Sequence, residues 1–247
     1  MRLISLLLCC FVIKLSAAQQ QLETGAEQLE RYLPFLAGKR VGLLVNQTSL
    51  IAEQHLVDVL LANQVNVVSI FAPEHGFRGD HDAGAKVNSG SDSKTGLPLW
   101  SLYGANKQPS ATQMQQLDVV IFDIQDVGVR YYTYISSMHY MLQAAADHGV
   151  AMLVLDRPNP NGAFVDGPLL DLKFQSFVGM HPIPLLHGMT VGELRRHRLA
   201  HDDGPRGTQA AHQRGIGVRL AATEQGRTEF GGQIARVDDV LDAHGQA

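Results

Sequence analysis

The sequence predicts an α/β fold, doubly wound around a mostly parallel sheet, and three observations carry that prediction. Short apolar runs of strand length alternate with longer segments whose apolar residues recur at helical spacing, the pattern of repeated βαβ units. One run, Val119-Val120-Ile121-Phe122, is apolar without interruption, as expected of a parallel strand covered on both faces. Polar clusters fall just past the predicted carboxyl ends of the strands, the edge at which open parallel sheets bind ligands.

The elements follow in order. Leu22 to Leu36 puts Leu22, Ala26, Leu29, Tyr32 and Leu33 on one helical face. Val41 to Val45 is a short buried strand ending in Asn46-Gln47-Thr48. Ala52 to Asn63 reads as a helix, with Leu56, Val57, Val59, Leu60 and Leu61 forming a broad apolar face. Val65 to Phe71 is the second strand and delivers Pro73-Glu74-His75-Gly76-Phe77-Arg78-Gly79. Asp80 to Gly96 is a long glycine- and aspartate-rich loop of a kind that often binds ligands, and Leu97 to Tyr103 is a shorter strand.

The strand that opens at Asp118 runs straight into Asp123, Gln125, Asp126, Arg130, Tyr131, Tyr132 and Tyr134, far more polar tips than a packed core uses. Tyr131 to His148 is the next helix, carrying Ile135, Met138, Met141, Leu142 and Ala145 on one face. Ala151 to Leu155 is a further strand and ends in Asp156-Arg157-Pro158-Asn159-Pro160. Asn46, Glu74 with His75, the Asp123 to Arg130 group, and Asp156 with Arg157 thus share one sheet edge, where convergent polar groups mark a site.

Composition narrows the function. With 45% apolar residues, 18% charged residues and a formal net charge of -4, the chain lacks the basic surplus that nucleic acid or an anionic membrane surface attracts. Residues 1–18 read as a secretory signal peptide: Arg2, an apolar run from Leu3 to Ile13, then Ser16-Ala17-Ala18. That run is far shorter than the ~20 residues a membrane-spanning helix needs. Both cysteines, Cys9 and Cys10, lie inside it, so an exported chain forms no disulfide and relies on its core, which fits a periplasmic or secreted location. From Arg195 onward the chain turns arginine-rich, lacks lysine and keeps one aromatic residue, Phe230. Residues 195–247 are therefore read as an atypical tail, disordered or frameshifted, with Val237 to Leu241 as a weak helix.

The motifs present point to acid–base chemistry. GxGxxG and GxxxxGK[ST] are absent, so no nucleotide cofactor is expected despite the Rossmann-like alternation. GxSxG is absent as well, which removes the usual setting of a serine nucleophile. Glu74, His75, His81, Asp82 and His187 are residue types that ligate metals, but neither HExxH nor a paired-cysteine spacing occurs, and no metal is expected. Hydrolysis of a glycosidic bond needs a proton donor at the leaving oxygen and usually a second carboxylate as base or nucleophile. Glu74, flanked by Pro73 and Phe77, is the first choice for the donor, since apolar surroundings keep a carboxyl protonated. Asp123 and Asp126 are candidates for the second role. Arg130 suits an anionic substituent, which a guanidinium grips bidentately. Tyr131, Tyr132 and Tyr134 offer stacking faces and hydroxyls, or simply packing. Asp156 and Arg157 suit either a site or an internal ion pair.

Six strings together resemble the NamZ-type exo-β-N-acetylmuramidases, long catalogued as a domain of unknown function: LLVNQTS at Leu43 to Ser49, FAPEHGFRG at Phe71 to Gly79, SLYG at Ser101 to Gly104, FDIQDVGVRYYTYISSM at Phe122 to Met138, LDRPNP at Leu155 to Pro160, and HGMTVGEL at His187 to Leu194. The resemblance implies a Rossmann-like catalytic domain over residues 22–194 that releases terminal N-acetylmuramic acid from the non-reducing ends of peptidoglycan fragments. The partners it implies are muropeptides or MurNAc–GlcNAc saccharides. It makes Glu74 the motif glutamate, in agreement with the choice made from its surroundings; His75, Asp123 and Asp126 complete the catalytic candidates. Asn46, Gln47, Arg78, Gln125, Arg130, Tyr131, Tyr132, Tyr134, Asp156, Arg157, Asn159 and His187 are the substrate-binding candidates, with Arg130, Arg78 or Arg157 facing the lactyl carboxylate of muramic acid. Family members carry a smaller C-terminal domain that closes one side of the cleft. The resemblance stops after Leu194, so that domain is expected to be missing and the activity to suffer. The rival expectations are a non-catalytic muropeptide-binding module and a metal-dependent hydrolase or deacetylase.

Overall fold

A computed structural model describes residues 23–78, 89–195 and 218–220. The expected signal peptide, His81, Asp82, the helix expected over Val237 to Leu241 and nearly all of the tail lie outside them. In chain order the elements are α1 (Leu29–Leu36), β1 (Val41–Val45), β2 (Leu50–Ile51), β3 (Gln54–His55), α2 (Leu56–Ala62), β4 (Val67–Ala72), β5 (Gly90–Ser91), β6 (Pro98–Ser101), α3 (Ala111–Met114), β7 (Val119–Asp123), α4 (Tyr134–His148), β8 (Ala151–Leu155), β9 (Val165–Asp166), a 3-10 turn (Leu172–Phe174), β10 (Leu186–His187) and β11 (Val218–Leu220). Among the described residues seven strands make the main sheet, in the order β11-β8-β7-β1-β4-β6-β5. All neighbours run parallel except the edge pair β5 and β6. β11, inside the segment read as an atypical tail, extends the sheet beside β8.

The sheet is apolar on both faces, which is why its central strands read as unbroken hydrophobic runs. Val41, Leu43 and Val45 of β1 with Val119 and Ile121 of β7 join Tyr32, Leu36, Leu56 and Leu60 on one side. Leu44, Val120 and Phe122, one position out of phase, join Ile135, Met138 and Met141 of α4 on the other. Each such fully buried side chain contributes roughly 1.5–3 kcal/mol of transfer free energy. Gly42 leaves room on the second face for Leu117, whose Cδ1 would sit 2.8 Å from an added Cβ.

The termini of α3 and α4 are written locally. Ser110 and Gln113 form a reciprocal capping box on α3. Gly149 ends α4 in the left-handed conformation at φ 67°, its N–H donating to the last-turn carbonyls.

Two helices are shorter than their periodicity predicts. The helix expected from Leu22 begins at Leu29, because Gly25 N–H donates to Asp156 O at 2.8 Å and pins residues 24–28 to the end of β8 as a turn. The helix expected from Ala52 begins at Leu56. Residues 50–55 form a small hairpin instead, with Ala52 at φ 50°, while Leu50 O is taken by Arg157 and Leu56 N by Ser49 O. Tertiary hydrogen bonds thus override an apolar period that still serves the buried face of α2. The helix expected from Tyr131 starts at Tyr134, with Tyr131 to Thr133 in the turn before it.

Candidate active site at the carboxyl edge of the sheet

β1 pairs with β4 on one side and β7 on the other, so the chain reverses its winding direction at β1. Such a switch point opens a crevice between the carboxyl ends of the diverging strands. Asn46 and Asp123 lie there, one just after β1 and one closing β7.

Asn46 is fully buried and organises the loop behind it. Its Oδ1 accepts from Thr48 N at 2.9 Å and Thr48 Oγ1 at 2.6 Å, which turns Nδ2 away toward the Tyr134 phenol, whose pKa burial raises and the amide lowers. Its backbone N–H donates to Ser49 Oγ at 3.0 Å, and Ser49 Oγ in turn donates to Asp123 O. His55 Nδ1 accepts from Val57 N at 3.3 Å, so the ring proton sits on Nε2 and donates to Asn46 O at 2.9 Å. Burial lowers the His55 pKa and keeps the ring neutral for that task.

Asp123 is fully buried and spends both oxygens on Arg157, Oδ1 accepting from Nε at 2.6 Å and Oδ2 from Nη2 at 3.0 Å. Burial pushes its carboxyl up, and the guanidinium pulls against that. Arg157 also donates to Leu50 O at 2.9 Å. The Asp156 side chain does not pair with Arg157's guanidinium: it accepts from Thr190 Oγ1 at 2.6 Å and Gly192 N at 3.0 Å and anchors the start of the helical turn at residues 191–195.

Asp126 differs. Its Oδ1 accepts from Gly128 N at 2.8 Å, while Oδ2 is buried without a partner. Burial raises its pKa from the ordinary 3.8 to about 6, against the pull of the Gly128 and Val127 N–H groups. Gly128, at φ 71°, lies so close to the Asn159 amide that no side chain fits between them. Asn159 Nδ2 donates to Met189 O at 2.9 Å and Asn161 Nδ2 to Val127 O at 2.9 Å, which ties the loop after β8 to the loop after β7. His187 is buried, accepts from Met189 N at Nδ1 and holds Nε2 without a partner. Its N–H donates to Gly128 O at 3.2 Å. Gln125 spends its amide on the carbonyls of Asp126 and Pro158.

Glu74 sits in the turn after β4, half-buried, followed by His75 at φ 69° and Gly76 at φ 80°. A non-glycine residue in the left-handed region is the kind of strain that collects at functional sites. Phe77, expected to wall Glu74, is buried with its ring edge-on to His55, centroids 4.6 Å apart. The groups that register the Glu74 carboxylate are phenols: it raises Tyr103 through hydrogen bonding and charge, and adds to the rise of Tyr134. Burial pushes Tyr134 up to about 12, with Tyr132 beside it. Those two rings meet edge to face at 4.8 Å, and Tyr132 is raised by burial and then by Asp126. Glu74 and Asp126 thus act on two neighbouring rings, Asp126 on Tyr132 and Glu74 more weakly on Tyr134. Tyr131 is left out of this arrangement, 57% exposed.

The arginines are unequal. Arg78 grips Asp92 twice at 3.0 Å and reaches Asp58 at 3.5 Å. It borders a cleft of about 520 Å³ with Gln47, His55, Asp58 and Lys94, which neither Glu74 nor Asp126 lines. Arg130 donates from Nη1 to the carbonyls of Pro168 and Ile183, both at 2.7 Å, and has no carboxylate partner among the described residues. Sequence reasoning passed over Thr48, Ser49, Tyr103 and Thr190. All four fall in the strings LLVNQTS, SLYG and HGMTVGEL, the signal that would have found them. Among the described residues no three histidine, cysteine or acidic side chains gather into a metal-sized cluster.

A family model described as exo-β-N-acetylmuramidase NamZ, N-terminal, matches residues 41–204, a range that takes in every group above. The peptidoglycan β-N-acetylmuramidase NamZ of Bacillus subtilis (strain 168) is 46% identical over 186 residues, covering 72% of this chain and 44% of that protein. Crystal structures of two DUF1343 family proteins from Bacteroides fragilis NCTC 9343 are also similar, both at 41% identity. One has a TM-score of 0.70 over 84% of this chain and 53% of its own, the other 0.67 over 72% and 46%. The chain thus spans about half the length of these relatives.

Proposed function

The chain belongs to the NamZ N-terminal family of exo-β-N-acetylmuramidases, and from that premise we propose that it is a glycoside hydrolase acting on N-acetylmuramic acid at the non-reducing ends of peptidoglycan fragments, in cell-wall turnover and recycling. The observation that carries the reading is the placement of two carboxyls at one sheet edge, Glu74 after β4 and Asp126 after β7 on either side of β1, with Asp126 Oδ2 uncommitted. Such a reaction needs two carboxylates with different surroundings, one to protonate the leaving oxygen and one to act on the far side of the sugar.

Glu74 takes the first role as the half-buried carboxyl at the rim. Asp126 takes the second in preference to Asp123, because Asp123 has both oxygens on Arg157 while Asp126 keeps Oδ2 uncommitted. Asp123 and Arg157 hold the floor of the site. Arg130 is the cation left for the lactyl carboxylate. Residues 1–18 support export, so the substrate would be met in the periplasm or outside the cell.

Glu74→Gln is expected to abolish release from a chromogenic muramic acid glycoside while leaving thermal unfolding unchanged; undiminished turnover overturns the assignment. A wild-type chain that binds the glycoside without turnover would make it a binding module instead.

A further inference from the structure

We propose that Asp92 is a positioning residue for Glu74: its two-pronged grip on Arg78 clamps the turn that presents the Glu74 carboxyl. The proposal rests on Glu74 being the carboxyl that meets substrate. The turn opens at Pro73, directly after β4, and passes through His75 at φ 69° and Gly76 at φ 80°. A non-glycine residue stays in the left-handed region only when its surroundings over-determine it. Within the turn, Gly76 N–H donates to Pro73 O at a long 3.2 Å, so the firmer hold has to come from the residues that follow.

Phe77 and Arg78 supply it. Phe77 is buried with its ring edge-on to His55. Arg78 lays its guanidinium over that ring, 4.4 Å from the centroid, and donates from Nε and Nη2 to the two oxygens of Asp92, both at 3.0 Å. A planar fork on a carboxylate fixes direction as well as distance. Asp92, fourteen positions along the chain, is itself fixed. Its side chain is 3% exposed, and Oδ2 also accepts from Thr95 N–H at 3.1 Å and Thr95 Oγ1 at 2.6 Å. Its backbone is tied to Leu97 O and Gly96 N–H, just before β6. Burial pushes the Asp92 carboxyl up, but the bonds from Arg78 and Thr95 outweigh burial and bring it down to about 2, so the grip is ionic at neutral pH. Asp58 braces the other side, 3.5 Å from Arg78 and held by Lys94 at 2.6 Å. Arg78 is thereby spent on protein carboxylates, and none of these bonds uses the Glu74 carboxyl.

Amide exchange and kinetics on the full chain test this. In Asp92→Asn the Gly76 N–H is expected to exchange about 10-fold faster by NMR, the worth of one hydrogen bond to a charged group, while the Gly149 N–H at the end of α4 keeps its rate. Unchanged Gly76 exchange, or equal acceleration at Gly149, overturns the clamp without any need for turnover. With the chromogenic glycoside, Asp92→Asn is expected to lower kcat about 10-fold at unchanged KM. Arg40→Gln, which breaks the Arg40–Asp118 pair at the amino edge of β1 and β7, is expected to leave kcat as it was. Arg78→Lys keeps the charge but loses the fork, and is expected to lower kcat in the same way should Asp92→Asn fail to fold. A rise in KM alone, an equal loss in Arg40→Gln, or full activity of Asp92→Asn or Arg78→Lys beside an inactive Glu74→Gln chain sinks the positioning role. Undiminished turnover by Glu74→Gln removes the parent reading, and this one with it.

Discussion

Arg157 grips the buried carboxylate of Asp123 with two prongs, at 2.6 and 3.0 Å, across the carboxyl ends of β8 and β7. The third contact of that guanidinium, to Leu50 O, draws the β2–β3 hairpin over the same edge. One ion pair thus ties two sheet strands and the loop after β1 into the floor of the site. Arg157→Met would leave Asp123 buried and alone, an arrangement that costs about 3–5 kcal/mol. Urea denaturation at neutral pH should show that loss, and the double variant Arg157→Met with Asp123→Asn should recover part of it. A single variant as stable as wild type would show that the pair does not hold the floor.

Asp126 makes stability depend on pH in a definite direction. Its folded-state pKa is raised from 3.8 to about 6 by burial. Its contribution is therefore fully present below about 4 and is lost as pH rises through about 6. The loss amounts to about 3 kcal/mol. Unfolding free energies of wild type and Asp126→Asn should diverge over that window, the variant being the flatter of the two. Parallel profiles from pH 3.5 to 7 would contradict the placement of a lone buried carboxyl here.

Gly128 is needed where the loop after β7 meets the loop after β8. Its φ of 71° and the Asn159 amide directly above it leave no room for a methyl group. Gly128→Ala should cost about 1–3 kcal/mol in backbone strain alone, plus the displacement of Asn159. Because Gly128 also binds Asp126 Oδ1 and the His187 N–H, activity should fall further than stability. Activity equal to wild type in a folded Gly128→Ala chain would separate these loops from the site.

Arg130 tests the recognition of the anionic substituent. Arg130→Gln should raise KM for a muramic acid glycoside about 10-fold or more, the worth of a charge-assisted contact. It should leave KM unchanged for the matching glucosaminide, which lacks the lactyl group. Equal effects on both substrates would assign Arg130 to the Pro168 and Ile183 carbonyls alone.

Much of the scaffold was legible in the chain. The unbroken apolar runs at Val41 and Val119 report strands covered on both faces, and the structure places them side by side at the centre of a parallel sheet. The polar clusters at Asn46, Glu74, Asp123 and Asp156 were correctly read as sharing one edge, because each ends a strand of the same sense. Helix starts were not legible. Apolar period says which face is buried, and it is silent on contacts such as Gly25 with Asp156 or Leu50 with Arg157 that unwind a first turn.

What the sequence determined by itself is the alternation of elements, the edge at which the polar clusters gather and, through its motifs, the family. Only the tertiary structure decided how the charges at that edge divide their work. Three arginines and five aspartates look equivalent along the chain. In the fold, Asp123 consumes Arg157, Asp92 and Asp58 consume Arg78, and Asp156 consumes Thr190 and Gly192, which leaves Asp126 and Arg130 without charged partners among the described residues. The pairing depends on distances of a few ångströms between residues up to 36 positions apart. A burial environment, unlike a period, is written in no local stretch of sequence.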